Sequence, residues 1–421
     1  MASSWRETRD KASRRWFYAL FFLLPLTAVF GHRGVAPWLL LASLPAFARG
    51  DFWQGAFGKL FDNPSLSDPR FASFVALLFL CFWIFLSAFW SPKHQYDLFL
   101  YVLAPALVGG SIVWFSLNLS RIWAWRLGRA FLLAIAGGMI ILAFEGVTDG
   151  FLRRALPPYE NNSGRDIIAL GRGVTALAPS LFPAAAIAVR LWSRKAALFV
   201  LALGVAAAVS NDVLANVAAL SAGFVAVVIA LPAPRTALRL TGWGAIALLL
   251  AAPFMAAMIP VDAIYARAQA SMAPDALAAA SSSLHRLAIW HATGLESLSC
   301  LPAGCGADYA RIWNDTAPLV EVPGAAPALS VIPIHPHNVF LQIWLELGLP
   351  GVAATALFLY FCLAALLRAQ LSKAVSAAAA GAFVAIIVSI LVEGSLWQVW
   401  RLAAMALAAS GVALAHSLEK R

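Results

Sequence analysis

Charged side chains are scarce in this 421-residue sequence. Only 12% of its residues are Asp, Glu, Lys or Arg, whereas 62% are hydrophobic and the mean hydropathy is +0.80. A soluble domain is about a quarter charged and about half apolar, so this composition indicates a chain that crosses a membrane several times. The net charge of +10 then reflects topology and anionic membrane lipids, and we expect no nucleic-acid partner.

Clustered carboxylates and paired cysteines of metal sites are also lacking. The acidic residues of the longest polar interval are scattered and form no Asp-x-Asp pair: Asp308, Asp315 and Glu321. A zinc site from Cys300, Cys305, His335 and His337 is a disfavoured alternative, because the interval has neither Cys-x-x-Cys nor His-x-x-x-His spacing. We therefore expect no bound metal and no cofactor.

Long apolar runs make up most of the chain. They lie near residues 16–30, 35–48, 71–90, 98–116, 130–147, 173–192, 196–211, 213–231, 241–259, 339–367, 374–394 and 397–417. A bilayer span takes about 20 apolar residues, which predicts an all-α polytopic membrane protein of about twelve transmembrane helices. The basic residues before Trp16 favour an uncleaved first helix with a cytoplasmic N-terminus, since no cleavage pattern follows.

This topology divides the chain into three parts. Residues 1–259 are predicted to hold transmembrane helices 1–9, residues 260–336 a long helical loop on the outer side, and residues 337–421 helices 10–12. Of the 30 Lys and Arg residues, 20 then fall on the cytoplasmic side and nine on the outer side, with Arg401 just inside a helix. The nine are Arg33, Lys93, Arg153, Arg154, Arg165, Arg172, Arg267, Arg286 and Arg311. Four of the nine crowd residues 149–173, against the positive-inside rule. Arginine where the topology disfavours it suggests an anionic ligand, because the planar guanidinium binds phosphate oxygens in pairs. The alternative is that these arginines lie in loops and are merely solvated.

The segment from Pro333 to Gly351 ends the loop and begins the next apolar run. Two prolines favour an extended approach, so a helix is predicted to start near His337 or Asn338. Asn338, Gln342 and Glu346 are four residues apart and predict one polar stripe on that helix. Gly348, Pro350 and Gly351 are predicted to break or kink it.

This segment resembles the signature of the O-antigen ligase superfamily. The match is His337-Asn338, nine residues, Gly348, two residues and Gly351. The resemblance also extends to Arg286 followed by Trp290, and to the Pro302 and Gly304-Cys305-Gly306 turn, whose glycines are expected to let backbone amides approach an oxyanion. A glycosyltransferase-C-like fold is implied.

One position departs from the family pattern. The family often carries Ser-Arg at the outer end of a mid-chain helix, where this chain has Ser210-Asn211-Asp212. Arg172 or Arg165 is expected to make the missing phosphate contact. Cys300 and Cys305 lie in the outer loop, where a periplasmic environment permits a disulfide between them.

The resemblance implies an O-antigen ligase in the bacterial inner membrane, with its active site facing the periplasm. Arg286, with Arg172 or Arg165, would bind the diphosphate of an undecaprenyl-diphosphate-linked O-antigen donor. His337 would be the general base on a sugar hydroxyl of the lipid A-core acceptor, with Asn338 in support, in a metal-independent, inverting single displacement. An O-antigen polymerase, a protein O-oligosaccharyltransferase and, less favoured, a membrane transporter are the alternatives. The chain stops soon after its last apolar run, which favours the ligase.

Overall fold

The computed structural model describes residues 2–47, 64–156 and 163–419, and it is almost entirely helical. The side chains of residues 2–10, 46 and 163–167 lie outside this description. Before residue 260 the described helices are α1 (Ala2–Ala28), α2 (Val35–Phe47), α3 (Pro69–Ser87), α4 (Leu98–Leu117), α5 (Arg121–Val147), α6 (Phe151–Ala155), α7 (Ser163–Leu191), α8 (Arg194–Ser210), α9 (Leu214–Ala230) and α10 (Pro234–Ala257), with a 3-10 turn at Gly31–Gly34.

The rest of the chain adds three helices of the long loop and three further apolar helices. They are α11 (Val261–Ser271), α12 (Pro274–Ser299), α13 (Tyr309–Thr316), α14 (Val339–Arg368), α15 (Lys373–Val392) and α16 (Val399–Ser417). Two short strands, β1 (Leu319–Val320) and β2 (Leu329–Ser330), form an antiparallel pair between α13 and α14. The expected all-α, polytopic membrane class is confirmed.

Each of the twelve apolar runs corresponds to a helix. Within the described residues, eight helices are long and apolar enough to cross a membrane, namely those at Pro69–Ser87, Leu98–Leu117, Arg121–Val147, Ile168–Leu191, Pro234–Ala257, Val339–Arg368, Lys373–Val392 and Val399–Ser417. The other four runs lie in α1, α2, α8 and α9. Twelve crossings, and the three-part division of the chain, stay predictions.

Helix α7 lies at the centre of the bundle. It packs against α5, α8, α15 and α16, and 78% of its apolar stretch is buried. Alanine is its commonest buried residue, together with Gly171 and Gly173, and such small residues allow helix backbones to approach closely within a membrane. The helix carries Arg172 near its N-terminal end, so the central helix positions one of the predicted site residues.

Helix α14 has two different halves. Every residue from Val339 to Gly348 is buried, whereas side chains such as Leu349, Leu357 and Tyr360 are exposed on the protein surface. The predicted break is confirmed at Gly348, whose backbone (φ 58°, ψ −157°) is not helical. The first half, which carries Gln342 and Glu346, is therefore enclosed by protein, and the second half is free to face lipid.

Candidate active site

His337 lies immediately before the first turn of α14. Asn338 is the N-cap of the helix: its Oδ1 accepts hydrogen bonds from the backbone N–H groups of Phe340 (3.0 Å) and Leu341 (3.1 Å). This confirms the predicted start of the helix. The side-chain oxygen of Asn338 is thereby committed to capping, so the expected support of the His337 ring is left to its amide nitrogen.

The two histidines of the segment touch each other. Their ring centroids are 4.3 Å apart, and the backbone N–H of His337 donates to Nδ1 of His335 at 3.2 Å. His337 holds an uncommon positive φ of 55°, which this hydrogen bond helps to fix. His335 is buried and therefore positions His337.

Both imidazoles are held neutral near pH 7. Burial, followed by the nearby charges of Arg286 and Arg172, lowers the pKa of His337 to about 4. Burial, followed by the charge of His337, lowers the pKa of His335 to about 3. Nδ1 of His337 is buried without a hydrogen-bond partner among the described residues. A neutral imidazole can accept a proton, as a general base must.

Arg286 supplies an uncommitted cation beside His337. It is half-buried on α12, and within the described part of the chain no hydrogen bond or ion pair engages its guanidinium. After burial, its positive charge is the main cause of the lowered pKa of His337. Trp290, one turn further along, has a buried indole N–H without a described partner. This part of the site therefore has spare hydrogen-bond donors.

Arg172 reaches the same site from α7. Its Nε lies 3.8 Å from Oε1 of Glu393, and this buried Nε makes no hydrogen bond within the described residues. Gly171, the preceding residue, packs against Val213 and near the carbonyl of Asn211. Arg172 thus lies next to the Ser210-Asn211-Asp212 turn, where the arginine of the family pattern is missing.

Arg401 is a member of the cluster that the sequence did not single out. Its guanidinium donates to Gln398 Oε1 (2.6 Å), Ser389 Oγ (2.7 Å) and the Glu393 carbonyl (3.0 Å), and it lies over the Trp400 ring. Glu393 Oε2 is 3.7 Å from Arg401 Nη2, so one carboxylate lies between two arginines. Glu393 and Arg401 have opposite charges, lie eight residues apart within apolar sequence and flank the start of α16. Ionisable residues in such a place indicate a functional site, and this signal could have identified both.

Two further arginines of residues 149–173, Arg165 and Arg153, contribute less to the described site. Arg165 is in the first turn of α7, and its side chain lies outside the described residues, so its contact with diphosphate stays a prediction. Arg153 is buried, lies over the Phe30 ring and donates to the Leu156 carbonyl. Its backbone N–H donates to Glu145 at 2.8 Å, so Arg153 has a structural role.

The polar stripe on α14 is confirmed and forms a buried network. Gln342 Nε2 donates to Glu346 Oε1 (3.0 Å), and Gln342 Oε1 accepts from the backbone N–H of Leu396 (2.8 Å). Glu346 Oε2 accepts from Trp397 Nε1 and from the backbone N–H of Asp308, both at 2.9 Å. The network ties α14 to the start of α16 and to the long loop, which holds the helix below His337 in place.

The Gly304-Cys305-Gly306 turn corrects one expectation. Its amides do not face an oxyanion: Cys305 N donates to the Leu345 carbonyl (2.8 Å) and Gly306 N to the Glu346 carbonyl (3.0 Å). The kink at Gly348 leaves these carbonyls without helical partners, and the turn satisfies them. Gly304 and Gly348 also pack backbone against backbone, and a side chain at either would clash.

Cys300 and Cys305 form the predicted disulfide, with their Cα atoms 5.2 Å apart. The described residues contain one cluster of potential metal ligands, Glu296 with the same two cysteines. Because the disulfide occupies both sulfur atoms, neither is a thiolate ligand, and the cluster does not suit a metal ion. Metal independence itself stays a prediction.

Comparison with known proteins finds a family match over part of this chain. Residues 196–356 match the family model described as O-Antigen ligase, a span that includes Arg286 and the His337 segment. A protein of Rickettsia prowazekii (strain Madrid E), named as a candidate polysaccharide ligase, is 29% identical over 124 residues, or 30% of either chain. Its counterpart in Rickettsia typhi (strain ATCC VR-144 / Wilmington) is 30% identical over 125 residues, again 30% of each chain. The matches thus span about 30% of these relatives' length. This chain is a polytopic helical membrane protein whose residues 196–356 match the O-antigen ligase family model.

Proposed function

We propose that this protein is an O-antigen ligase, which transfers glycan from undecaprenyl diphosphate to a sugar hydroxyl of lipid A-core. The observation that carries the proposal is the position of His337 at the start of α14, buried with an Nδ1 that no described residue bonds, within the segment that matches the O-antigen ligase family model. The charges of Arg286 and Arg172 act on this ring and favour its neutral form. This arrangement combines a base for a hydroxyl with cations for a diphosphate. The carboxylate of the described cluster, Glu393, lies between Arg172 and Arg401, which favours a single displacement over attack by a carboxylate nucleophile.

The arginines bind and stabilise the leaving diphosphate. Within the described residues, no hydrogen bond engages the guanidinium of Arg286, and the buried Nε of Arg172 also makes none. Arg401, fixed by three hydrogen bonds, adds a third positive charge behind Arg172. Since charge on the diphosphate grows as the glycosidic bond breaks, cations already held in place lower the barrier.

Glu393 tunes this cluster. It compensates part of the charge of Arg172 and Arg401, at distances of 3.8 and 3.7 Å that are long for a hydrogen bond. A diphosphate oxygen that offers Arg172 a shorter contact would compete with Glu393 for it. The carboxylate therefore favours release of the diphosphate product as well as arginine placement.

His337 takes the proton from the acceptor. The acceptor oxygen attacks the anomeric carbon and forms the new glycosidic bond, the bond from that carbon to the diphosphate oxygen breaks, and the proton goes to the imidazole. The configuration at the anomeric carbon inverts in a single step. The energy of the diphosphate ester drives the reaction, so neither nucleotide nor metal is required.

The site is expected to face the periplasm, in the outer leaflet of the inner membrane. The excess of Lys and Arg on the opposite side of the predicted topology supports this orientation. Donor and acceptor are both anchored in that leaflet, so each reaches the cluster sideways from the membrane.

Deletion of the gene tests the proposal in cells. We expect lipopolysaccharide that carries core alone, together with accumulated lipid-linked O-antigen. Core bearing a single O-antigen unit would instead indicate a polymerase, and loss of glycan from secreted proteins with intact lipopolysaccharide would indicate a protein O-oligosaccharyltransferase. Unchanged glycans of all three kinds would contradict a transferase function.

A further inference from the structure

A polar cavity lies beside the Glu346 network. Its volume is about 330 Å³, and it is lined chiefly by Lys93, Gln95, Tyr101, Asp308, Arg311 and Trp397. These residues come from the segment between α3 and α4, from the long loop and from the start of α16. The mechanism proposed above uses none of them.

Hydrogen bonds within the protein hold the walls of this cavity in place. The Asp308 side chain is 3% exposed and accepts a hydrogen bond from Arg311 Nε at 2.9 Å. Trp397 is fixed by its bond to Glu346, and Ser91 Oγ donates to the carbonyl of Ala307 at 2.6 Å. The loop, α3 and α14 are thus joined around it, and little ordering is required for binding.

The charges of the lining favour an acidic ligand. Asp308 compensates Arg311, whereas Lys93 is exposed and has no ion pair within the described part of the chain. One positive charge therefore remains uncompensated. Gln95 adds an amide for hydroxyl groups, and the rings of Tyr101 and Trp397 offer the flat apolar surface on which a sugar ring packs.

The cavity lies within reach of the reaction centre. Its walls bond directly to Glu346, nine residues along α14 from His337, which corresponds to about 13 Å at the helical rise. The charge of Arg311 also contributes to the lowered pKa of His335. A saccharide of a few rings can span this distance, whereas a single sugar cannot occupy both places.

The position of the cavity favours a lipid-anchored saccharide. Tyr101 is in the first turn of α4, one of the helices apolar enough to cross a membrane, so the cavity lies at a predicted membrane boundary. We propose that it is the subsite for an acidic sugar of the acceptor, a residue bearing phosphate or carboxylate a few rings from the attacking hydroxyl. This inference rests on the proposed function and identifies where its acceptor binds.

Lys93→Met tests the subsite, with Arg267→Met as the matched control. Arg267 is an exposed cation of α11 that does not line the cavity. With purified lipid A-core as acceptor, Lys93→Met is expected to raise the acceptor KM about tenfold, the usual effect of losing one charged hydrogen bond. The donor KM should not change. With the same acceptor after dephosphorylation and carboxyl reduction, wild type and Lys93→Met should have equal KM values.

Three results would overturn the subsite. They are an unchanged acceptor KM in Lys93→Met, an equal rise in Arg267→Met, and a rise in the donor KM alone, which would assign the cavity to donor glycan. Direct binding of lipid A-core to the purified protein, without donor, gives the same comparison without turnover. If Lys93→Met binds lipid A-core more weakly and Arg267→Met does not, the subsite is supported, whether or not the wild type transfers glycan. Lack of transfer by the wild type would refute the proposed function, independently of the subsite.

Discussion

The pH dependence of transfer gives a quantitative test of the histidine environment. The ordinary imidazole pKa of 6.5 would leave about 9% of His337 neutral at pH 5.5. The lowered pKa of about 4 leaves about 97% neutral at the same pH. Since only the neutral ring accepts a proton, the structure predicts nearly full activity at pH 5.5.

The assay is kcat/KM for the lipid-linked donor between pH 4 and 8, because this ratio reports ionisations of the free enzyme. We expect a flat profile from pH 7.5 to 5.5 and an acid limb near pH 4. Arg286 is the main charge that lowers the pKa of His337, so Arg286→Ala should move the acid limb to higher pH. The matched Arg267→Ala should leave it in place.

Folding must be monitored in parallel. His337, His335 and His32 all have pKa values lowered mainly by burial, to about 4, 3 and 4. Below about pH 6.5 the unfolded chain binds protons that the folded protein does not, so folding stability falls as the pH falls. Size-exclusion chromatography at each pH separates this loss from a catalytic effect. An acid limb near 6.5 in folded protein would refute the reasoning.

Three further predictions follow from the same geometry. Arg286→Ala should abolish most transfer in folded protein, and Arg286→Lys should restore only part of it, because a point charge cannot reproduce the bidentate grip; full activity of the alanine variant would remove Arg286 from the mechanism. Gly348→Ala should destabilise the protein by about 2–3 kcal/mol in thermal unfolding, because its backbone region is reserved for glycine, whereas Gly244→Ala, with open space around it, should have little effect. Transfer by detergent-solubilised protein should survive excess EDTA. Loss of transfer in EDTA, restored only by added Mg²⁺ or Mn²⁺, would reveal a metal site.

Local features of the fold could be predicted from the sequence. Apolar length marked twelve of the described helices, but not α12 of the long loop. The prolines before His337 and the glycine at position 348 marked where α14 begins and breaks. The polar stripe of Asn338, Gln342 and Glu346 followed from helical spacing alone. These features depend on neighbouring residues, which the sequence displays directly.

Features that depend on distant contacts could not be predicted. The amides of the Gly304 turn looked suited to an anion, but they bond to carbonyls that the kink of α14, some forty residues later, leaves free. Arg401 was visible only as a charge at a helix end, since its place behind Arg172 depends on how α16 packs on α7. Asn338 looked like a catalytic partner, and its oxygen is a helix cap.

His337→Gln measures the central claim most directly, because glutamine keeps polar contacts but cannot take a proton near neutral pH. With purified lipid-linked donor and lipid A-core, transfer should fall by about a hundred- to ten-thousand-fold while donor binding persists. His335→Asn retains a side-chain acceptor for the His337 N–H and should keep far more activity. Near-normal turnover in His337→Gln, or a loss explained wholly by weaker donor binding, would contradict general-base catalysis by His337.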